Sequence, residues 1–304
     1  MRNALEAVAE SGVSVYEPSP IKRKRRTKTE LAELDLALAE IVAEIEPATV
    51  RQVFYQAVVH GLVPKDEAKG YKLVQRRLVK LRESKEIPYG WITDNVRIVR
   101  GFNRYDGPED YARVAAEFYR RDYWAESRVN VEVWLEKDAL AGVLEPTVVE
   151  ECGLDLHVTR GYASVSYLQS AADFIRRDGR PTYVYLLTDF DPSGLGIAET
   201  VKIELMNRSY PVAVYVERLA VSREQIDEYQ LPTRPTKTTD SRARKFIRQH
   251  GTGSVELDAM PPATLRSLVR ENIEKHMDPE RLRVMKLAEK QERDLLRNVW
   301  GGVA

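Results

Sequence analysis

The chain of 304 residues is long enough for two domains, and its 43% hydrophobic and 31% charged content without a long apolar run predicts neither a spanning helix nor a secretory signal. A lone Cys152 excludes an internal disulfide and a cysteine zinc site, and His60, His157, His250 and His276 lack ligand spacing, so a cytoplasmic protein with no membrane partner is expected. The 47 Lys and Arg balance the 47 Asp and Glu, a zero total that hides a segregation of charge along the chain.

Residues 1–28 carry Pro18, Pro20 and a basic run from Lys22 to Lys28 without a sustained apolar period, which predicts a flexible basic arm. Helical spacing starts at Leu31, continues through Leu34, Leu38, Ile41, Val42 and Ile45, and stops at Pro47. Thr49 then caps a short predicted helix over 50–60 that closes at Gly61. A third helix is expected over 66–84, with Tyr71, Val74, Leu78 and Leu81 on one face. Two strand-like pieces, 90–93 and 96–99, joined at Asp94-Asn95, complete the pattern of a winged helix-turn-helix domain over 29–104. From Arg51 to Arg104 twelve Lys and Arg stand against five Asp and Glu. This module is expected to face DNA phosphates, with Lys72, Arg76 and Arg77 of the 66–84 helix among the contacts.

The stretch 105–130 reads as a connector with a helix over 110–123, after which the period changes. Strands are predicted at 131–135, 154–159, 183–188 and 212–216, separated by helical stretches, the alternation of an α/β domain with a mostly parallel sheet. The rest of 131–304, from Ser222 on, reads as short helices with proline-rich joints at 231–235 and 261–262, and no internal repeat is found. Between 131 and 200 the charge balance reverses to five Lys and Arg against twelve Asp and Glu, which suits a cation. Two differently charged solvated surfaces are the plainer alternative.

Glu136 directly follows the first of these strands, and Asp189 and Asp191 directly follow the third, in Thr188-Asp189-Phe190-Asp191-Pro192-Ser193-Gly194. Sheets of this class bind ligands at the carboxyl ends of their strands. Alternation points Asp189 and Asp191 the same way and turns Phe190 aside. Glu136 from a neighbouring strand completes an all-oxygen set suited to magnesium. The alternative is a plain strand-to-helix turn in which Asp191 is an N-cap. In the basic module, Val50, Val53, Phe54 and Ala57 fall in one apolar arc, while Tyr55 lies outside it, on the side of Arg51 one turn earlier. A phenol can attack a phosphodiester if its proton is removed, with a guanidinium stabilising the developing charge. An aromatic at the edge of the core is the alternative.

Arg51-Gln-Val-Phe-Tyr55 resembles the Arg-x-x-(Phe/Tyr)-Tyr signature of the topoisomerase VI A subunit and its relatives, the meiotic double-strand-break transesterases. Val133-Trp-Leu-Glu136-Lys137 and Asp189-Phe-Asp191-Pro-Ser-Gly194 resemble the glutamate and Asp-x-Asp-Pro-x-Gly motifs of that family's Toprim domain, and Gly161-Tyr162 resembles its intervening loop. The similarity continues through Ile226-Asp-Glu-Tyr-Gln-Leu-Pro232 and Ser254-Val-Glu-Leu-Asp258, so it covers roughly 48–275 with the motifs in order. The resemblance implies a winged-helix domain followed by a Rossmann-like Toprim domain. It implies Tyr55 as the nucleophile of a 5′-phosphotyrosyl link, Arg51 assisting at the scissile phosphate, and Glu136, Asp189 and Asp191 holding Mg2+, for which Mn2+ substitutes. It also implies a homodimer on double-stranded DNA, with Tyr55 of one protomer serving the acids of the other. No Gly-rich phosphate loop is found, so ATP-driven strand passage would need a separate GHKL-type ATPase B subunit. Two other readings compete. One is a Toprim nuclease like the nuclease subunit of plasmid-defence (Wadjet) systems, which uses metal-activated water and needs no tyrosine. The other is a non-enzymatic winged-helix DNA-binding protein, against which the clustered carboxylates argue.

Overall fold

The computed structural model describes residues 26–92 and 104–301; the arm before residue 26 and the expected strand pieces from 93 on lie outside them. Thr27 opens α1 (Lys28–Ile45) through a reciprocal cap: its hydroxyl accepts from the Glu30 N–H, and the Glu30 carboxylate accepts from the Thr27 N–H. Helix therefore begins inside the stretch expected to be a free arm. The same device at Thr49 and Gln52 starts α2 (Val50–Val59), and Gly61, at φ +68°, takes the chain out of it. The 66–84 stretch divides into one π-helical turn at Glu67–Tyr71 and α3 (Lys72–Glu83), with Val74, Leu78 and Leu81 buried as their spacing predicts. The described part of the 90–93 piece, residues 90–92, is not a strand: the Trp91 N–H turns back to the Pro88 carbonyl in a 3-10 turn, and Ile92 then bridges to Ala48.

After α4 (Pro108–Phe118), which stops short of the expected 123, comes an all-parallel sheet. Its strands are β1 (Asn130–Leu135), β2 (Leu156–Val158), β3 (Thr182–Leu187) and β4 (Val214–Ala220), in the order β2-β1-β3-β4. Val131, Val133 and Leu135 of β1 and Tyr185 and Leu187 of β3 face a core shared with α5 (Ala141–Glu145), α10 (Pro262–Glu274) and the N-terminal helices. Trp134, Val184 and Leu186 face the opposite side, under α6 (Val165–Asp178) and α7 (Pro192–Ser209). Both faces are dry, as in Rossmann-like α/β folds, and each fully buried Leu or Val contributes about 1.5–3 kcal/mol. The chain leaves β1 for β2 on one side and returns to β3 on the other. The topological switch point therefore falls at the carboxyl ends of β1 and β3, the place where such sheets bind ligands.

Beyond β4 lie α8 (Arg223–Glu228), the short ladder of β5 (Arg234–Pro235) with β6 (Gly253–Ser254), α9 (Ala243–His250) and α10. The chain does not end in a short helix. Instead α11 (Pro279–Gly301), 23 residues long, runs back along α4. Tyr119 and Tyr123 donate to Glu292 and Glu289, and Arg293 reaches the Tyr119 carbonyl, so the residues just past α4 bond to α11 where the helix was expected to continue to 123. Among the described residues no helix is long and apolar enough to cross a membrane.

The first turn of α7 presses against the end of β3: a Cβ on Gly194 would stand 2.2 Å from the Asp189 carbonyl oxygen, whereas one on Gly90 would meet nothing within 4 Å. Gly194→Ala is therefore expected to cost about 1–3 kcal/mol in urea unfolding, and Gly90→Ala to leave the midpoint where it is.

Candidate active site

A cleft of about 770 Å³ opens at the carboxyl ends of β1 and β3. Glu136 extends the β1 ladder, its N–H donating to the Leu187 carbonyl at 3.0 Å, and the Gly161 N–H donates to the Glu136 carbonyl at 3.2 Å. Past β3, Phe190 exchanges two backbone hydrogen bonds with Val255, at 2.8 and 3.0 Å. The Phe190 ring turns into the core against Phe246 and His250, as alternation predicts. This bridge brings residues 256–258 beside Asp189, whose Oδ1 accepts from the Leu257 N–H at 2.8 Å.

Acids and bases interlock around the bridge. Lys137 Nζ lies 2.7 Å from Asp258 Oδ2, 3.1 Å from Asp189 Oδ1 and 3.7 Å from Glu256 Oε2. Arg51 reaches down from α2 to Glu256 at 3.1 Å and also meets Glu67 at 2.9 Å. Arg234 pairs with the other oxygen of Glu256, and Thr49 Oγ1 donates to Asp258 at 3.3 Å. Burial acts to raise the pKa of Glu256, but Lys137, Arg234 and Arg51 together hold it below the usual carboxylate range. Burial also opposes the charge on Lys137, yet Asp258, Asp189 and Glu256 outweigh it and keep the ammonium protonated. Asp189 is raised by burial more than Lys137 lowers it. Glu136, whose Oε2 accepts from the Asp189 N–H at 3.1 Å, is pushed up to about 7 by burial and by the Asp189 charge.

Arg51, Glu136 and Asp189 thus line one cleft, but the other expected residues are placed differently. Asp191 is the N-cap of α7: its Oδ1 accepts from the Gly194 N–H at 2.8 Å, and its Oδ2 faces Arg234 at 3.6 Å. The plain strand-to-helix turn describes it. Among the described residues no group of three or more His, Cys, Asp or Glu side chains is arranged to hold a metal ion. The expected magnesium ligands do not stand as three open carboxylates: Asp191 holds the cap with Oδ1 and faces Arg234 with Oδ2, and an ammonium faces Asp189.

Tyr55 lies outside the apolar arc of α2, yet it is only 5% exposed, because the turn at Leu257–Ala259 packs on that side of the helix. Its hydroxyl donates to Glu256, and burial together with that carboxylate pushes the phenol pKa well above its ordinary value, against the opposing charge of Arg51. Tyr71, not Tyr55, lines the cleft, with the Arg51 guanidinium 4.9 Å over its ring. Arg51 and Tyr55 both meet Glu256.

Arg77 is a correction as well. It pairs with Asp35 of α1, both side chains largely buried, so it ties helices together in place of reaching for phosphate. Lys72 and Arg76 are exposed, but the face of α3 that lines the cleft carries Gln75, Val79 and Arg82. Among the cleft residues that motif spacing did not single out as site residues are Lys137, Arg160, Arg234, Lys237, Glu256 and Asp258. Lys137 adjoins Glu136, and Glu256 and Asp258 belong to the Ser254–Asp258 stretch, so those three were within sight; Arg234 has no local signal. Comparison with protein-family models and with curated proteins yields no match.

The raised pKa of Glu136 has a testable sign. Folding holds a proton that an unfolded glutamate, at its ordinary 4.5, has released, so this group's contribution to stability falls as pH rises from 4.5 through about 7. In metal-free buffer Glu136→Gln is expected to melt higher than wild type at pH 8, with the gain vanishing towards pH 4. A gain of the same size at both ends would contradict the assignment.

Proposed function

We propose that the chain is a DNA-cleaving transesterase resembling the A subunit of type IIB topoisomerases, built from a winged helix-turn-helix and a Toprim-like sheet domain. The observation that carries this reading is Glu256. This one buried carboxylate binds Arg51 and Tyr55 of α2 and, through Lys137, the acid at the end of β3. A phenol, its proton acceptor and a guanidinium are thereby gathered at the switch point of the sheet. On attack the Tyr55 O–P bond forms and the P–O3′ bond breaks; the phenol proton passes to Glu256 once the phosphate has drawn Arg51 away and the carboxylate is no longer held below its usual range, and the leaving oxygen takes a proton from water. The products are a 5′-phosphotyrosyl end and a 3′-hydroxyl. Arg51 is placed to neutralise the phosphate, and Arg82, Arg160, Arg234 and Lys237 around the cleft supply charge for a DNA backbone. Cutting both strands would take two copies in a homodimer, and strand passage would take a separate GHKL-type ATPase subunit.

One observation favours a second reading. The Tyr55 phenol does not line the cleft, while Arg51 and Tyr71 do, so attack requires that wall to open. In a hydrolytic Toprim nuclease water is the nucleophile, and Tyr55 only packs and positions Glu256. The two are separated on supercoiled plasmid with Mg2+ or Mn2+, by capture of protein-linked ends under denaturing conditions. Tyr55→Phe is expected to abolish the adducts while DNA affinity stays close to wild type. Undiminished cutting by Tyr55→Phe with protein-free ends would establish hydrolysis instead.

The cleft, more than the exposed face of α3, is expected to hold the phosphates. Lys237→Ala should reduce the slope of log affinity against log salt by about 0.9, the amount for one lost phosphate contact. Arg77→Ala should leave that slope alone and lower the melting temperature. A slope unaffected by Lys237→Ala and reduced by Arg77→Ala would place the DNA elsewhere.

A further inference from the structure

We infer that Lys137 is the built-in counter-cation of the acidic centre formed by Asp189, Glu256 and Asp258, and that in the DNA-free chain it excludes a divalent metal from it. The inference rests on the cleavage reading only for the identity of the cleft; its geometry stands by itself.

Three carboxylates, Asp189, Glu256 and Asp258, converge on one ammonium at 3.1, 3.7 and 2.7 Å. They come from two segments more than 60 residues apart, the end of β3 and the 256–258 turn, so Lys137 fastens one to the other. Lys137 offsets Asp189 and Asp258 directly, while Arg51 and Arg234 bond to Glu256 and are shared, Arg51 with Glu67 and Arg234 with Asp191. A dication needs anionic oxygen free of other cations, and the oxygens that face Lys137 are already bonded to one. An entering metal would also meet the ammonium at contact distance and would have to displace it. The two other expected ligands each commit one oxygen elsewhere, Asp191 Oδ1 to the cap of α7 and Glu136 Oε2 to the Asp189 N–H. Lys137 is therefore assigned as a positioning residue that holds Asp189, Glu256 and Asp258 in register.

The test uses the full-length chain stripped with EDTA and titrated with Mn2+ alone, read by the electron paramagnetic resonance signal of free Mn2+ and by thermal unfolding. Wild type is expected to bind Mn2+ no tighter than on the order of millimolar, with its melting temperature unmoved by the ion. Lys137→Met should melt lower in EDTA, bind Mn2+ about tenfold tighter or more, and regain stability as the ion is added. Lys137→Arg should behave as wild type. A merely structural lysine would lower stability without creating metal affinity, so a Lys137→Met protein that folds and gains no Mn2+ binding overturns the inference. If Lys137→Met does not fold, the wild-type titration still decides: micromolar Mn2+ binding that Asp189→Asn abolishes would show that the acids form a metal site from which Lys137 steps aside, whereas absent binding upholds the assignment. Neither readout involves DNA, so failure of the cleavage assays leaves this result intact, and the reverse.

Discussion

The cleft depends on the pair of backbone hydrogen bonds between Phe190 and Val255. Backbone groups are the same at every residue, yet this bridge decides which residues of 253–258 meet the end of β3. In the observed register Val255 and Leu257 join the apolar core, while Glu256 and Asp258 turn to Lys137. A slip of one residue would send the two acids into the core and strand the two apolar side chains. It would also remove the Leu257 N–H from Asp189, which relies on it as a hydrogen-bond donor.

Acids gathered in so dry a place must be matched, because an ionised carboxylate buried alone costs several kcal/mol. The matching cations come from three separate places: Lys137 from the end of β1, Arg51 from α2 and Arg234 from β5. Where three cations act together, as at Glu256, they hold the carboxylate's pKa down despite burial; where Lys137 acts alone, as at Asp189 and Glu136, burial prevails and the pKa climbs. These pairs also form the joint between the N-terminal helices and the sheet. Thr49 and Arg51 both lie at the start of α2, and both bond to the 256–258 turn. Exposed ion pairs contribute about 0–1 kcal/mol, but here the loss of one partner would leave another buried without a counter-charge.

The same joint organises and hides the proposed chemistry. Arg51 and Tyr55 share Glu256, so whatever draws the guanidinium away changes the surroundings of the phenol. A phosphate oxygen in the cleft and the Glu256 carboxylate are competing acceptors for that guanidinium. The burial of Tyr55 and the openness of the cleft beside it are thus two aspects of one contact, made within a single chain.

Local patterning determined a large part of this molecule. The apolar spacing of α1, α2 and α3, the Thr49 cap, the four parallel strands and the emergence of Glu136 and Asp189 at strand ends were all legible, because each depends on residues within one or two turns or one strand. The Asp191 cap was legible too, as one of two readings of that turn, and its Oδ1 makes it with the Gly194 N–H. What no local pattern contained was which polar face becomes covered. Tyr55 lies outside the apolar arc of its own helix and is nevertheless buried, by a turn about 200 residues further on; Arg77 meets Asp35 across two helices; Arg234 reaches Glu256 from a two-residue strand. Periodicity tells which side chains share a face. Only the packing of remote segments decides whether that face meets water, a phosphate or a buried acid, because desolvation and ion pairing are set by distances in space and not by spacing along the chain.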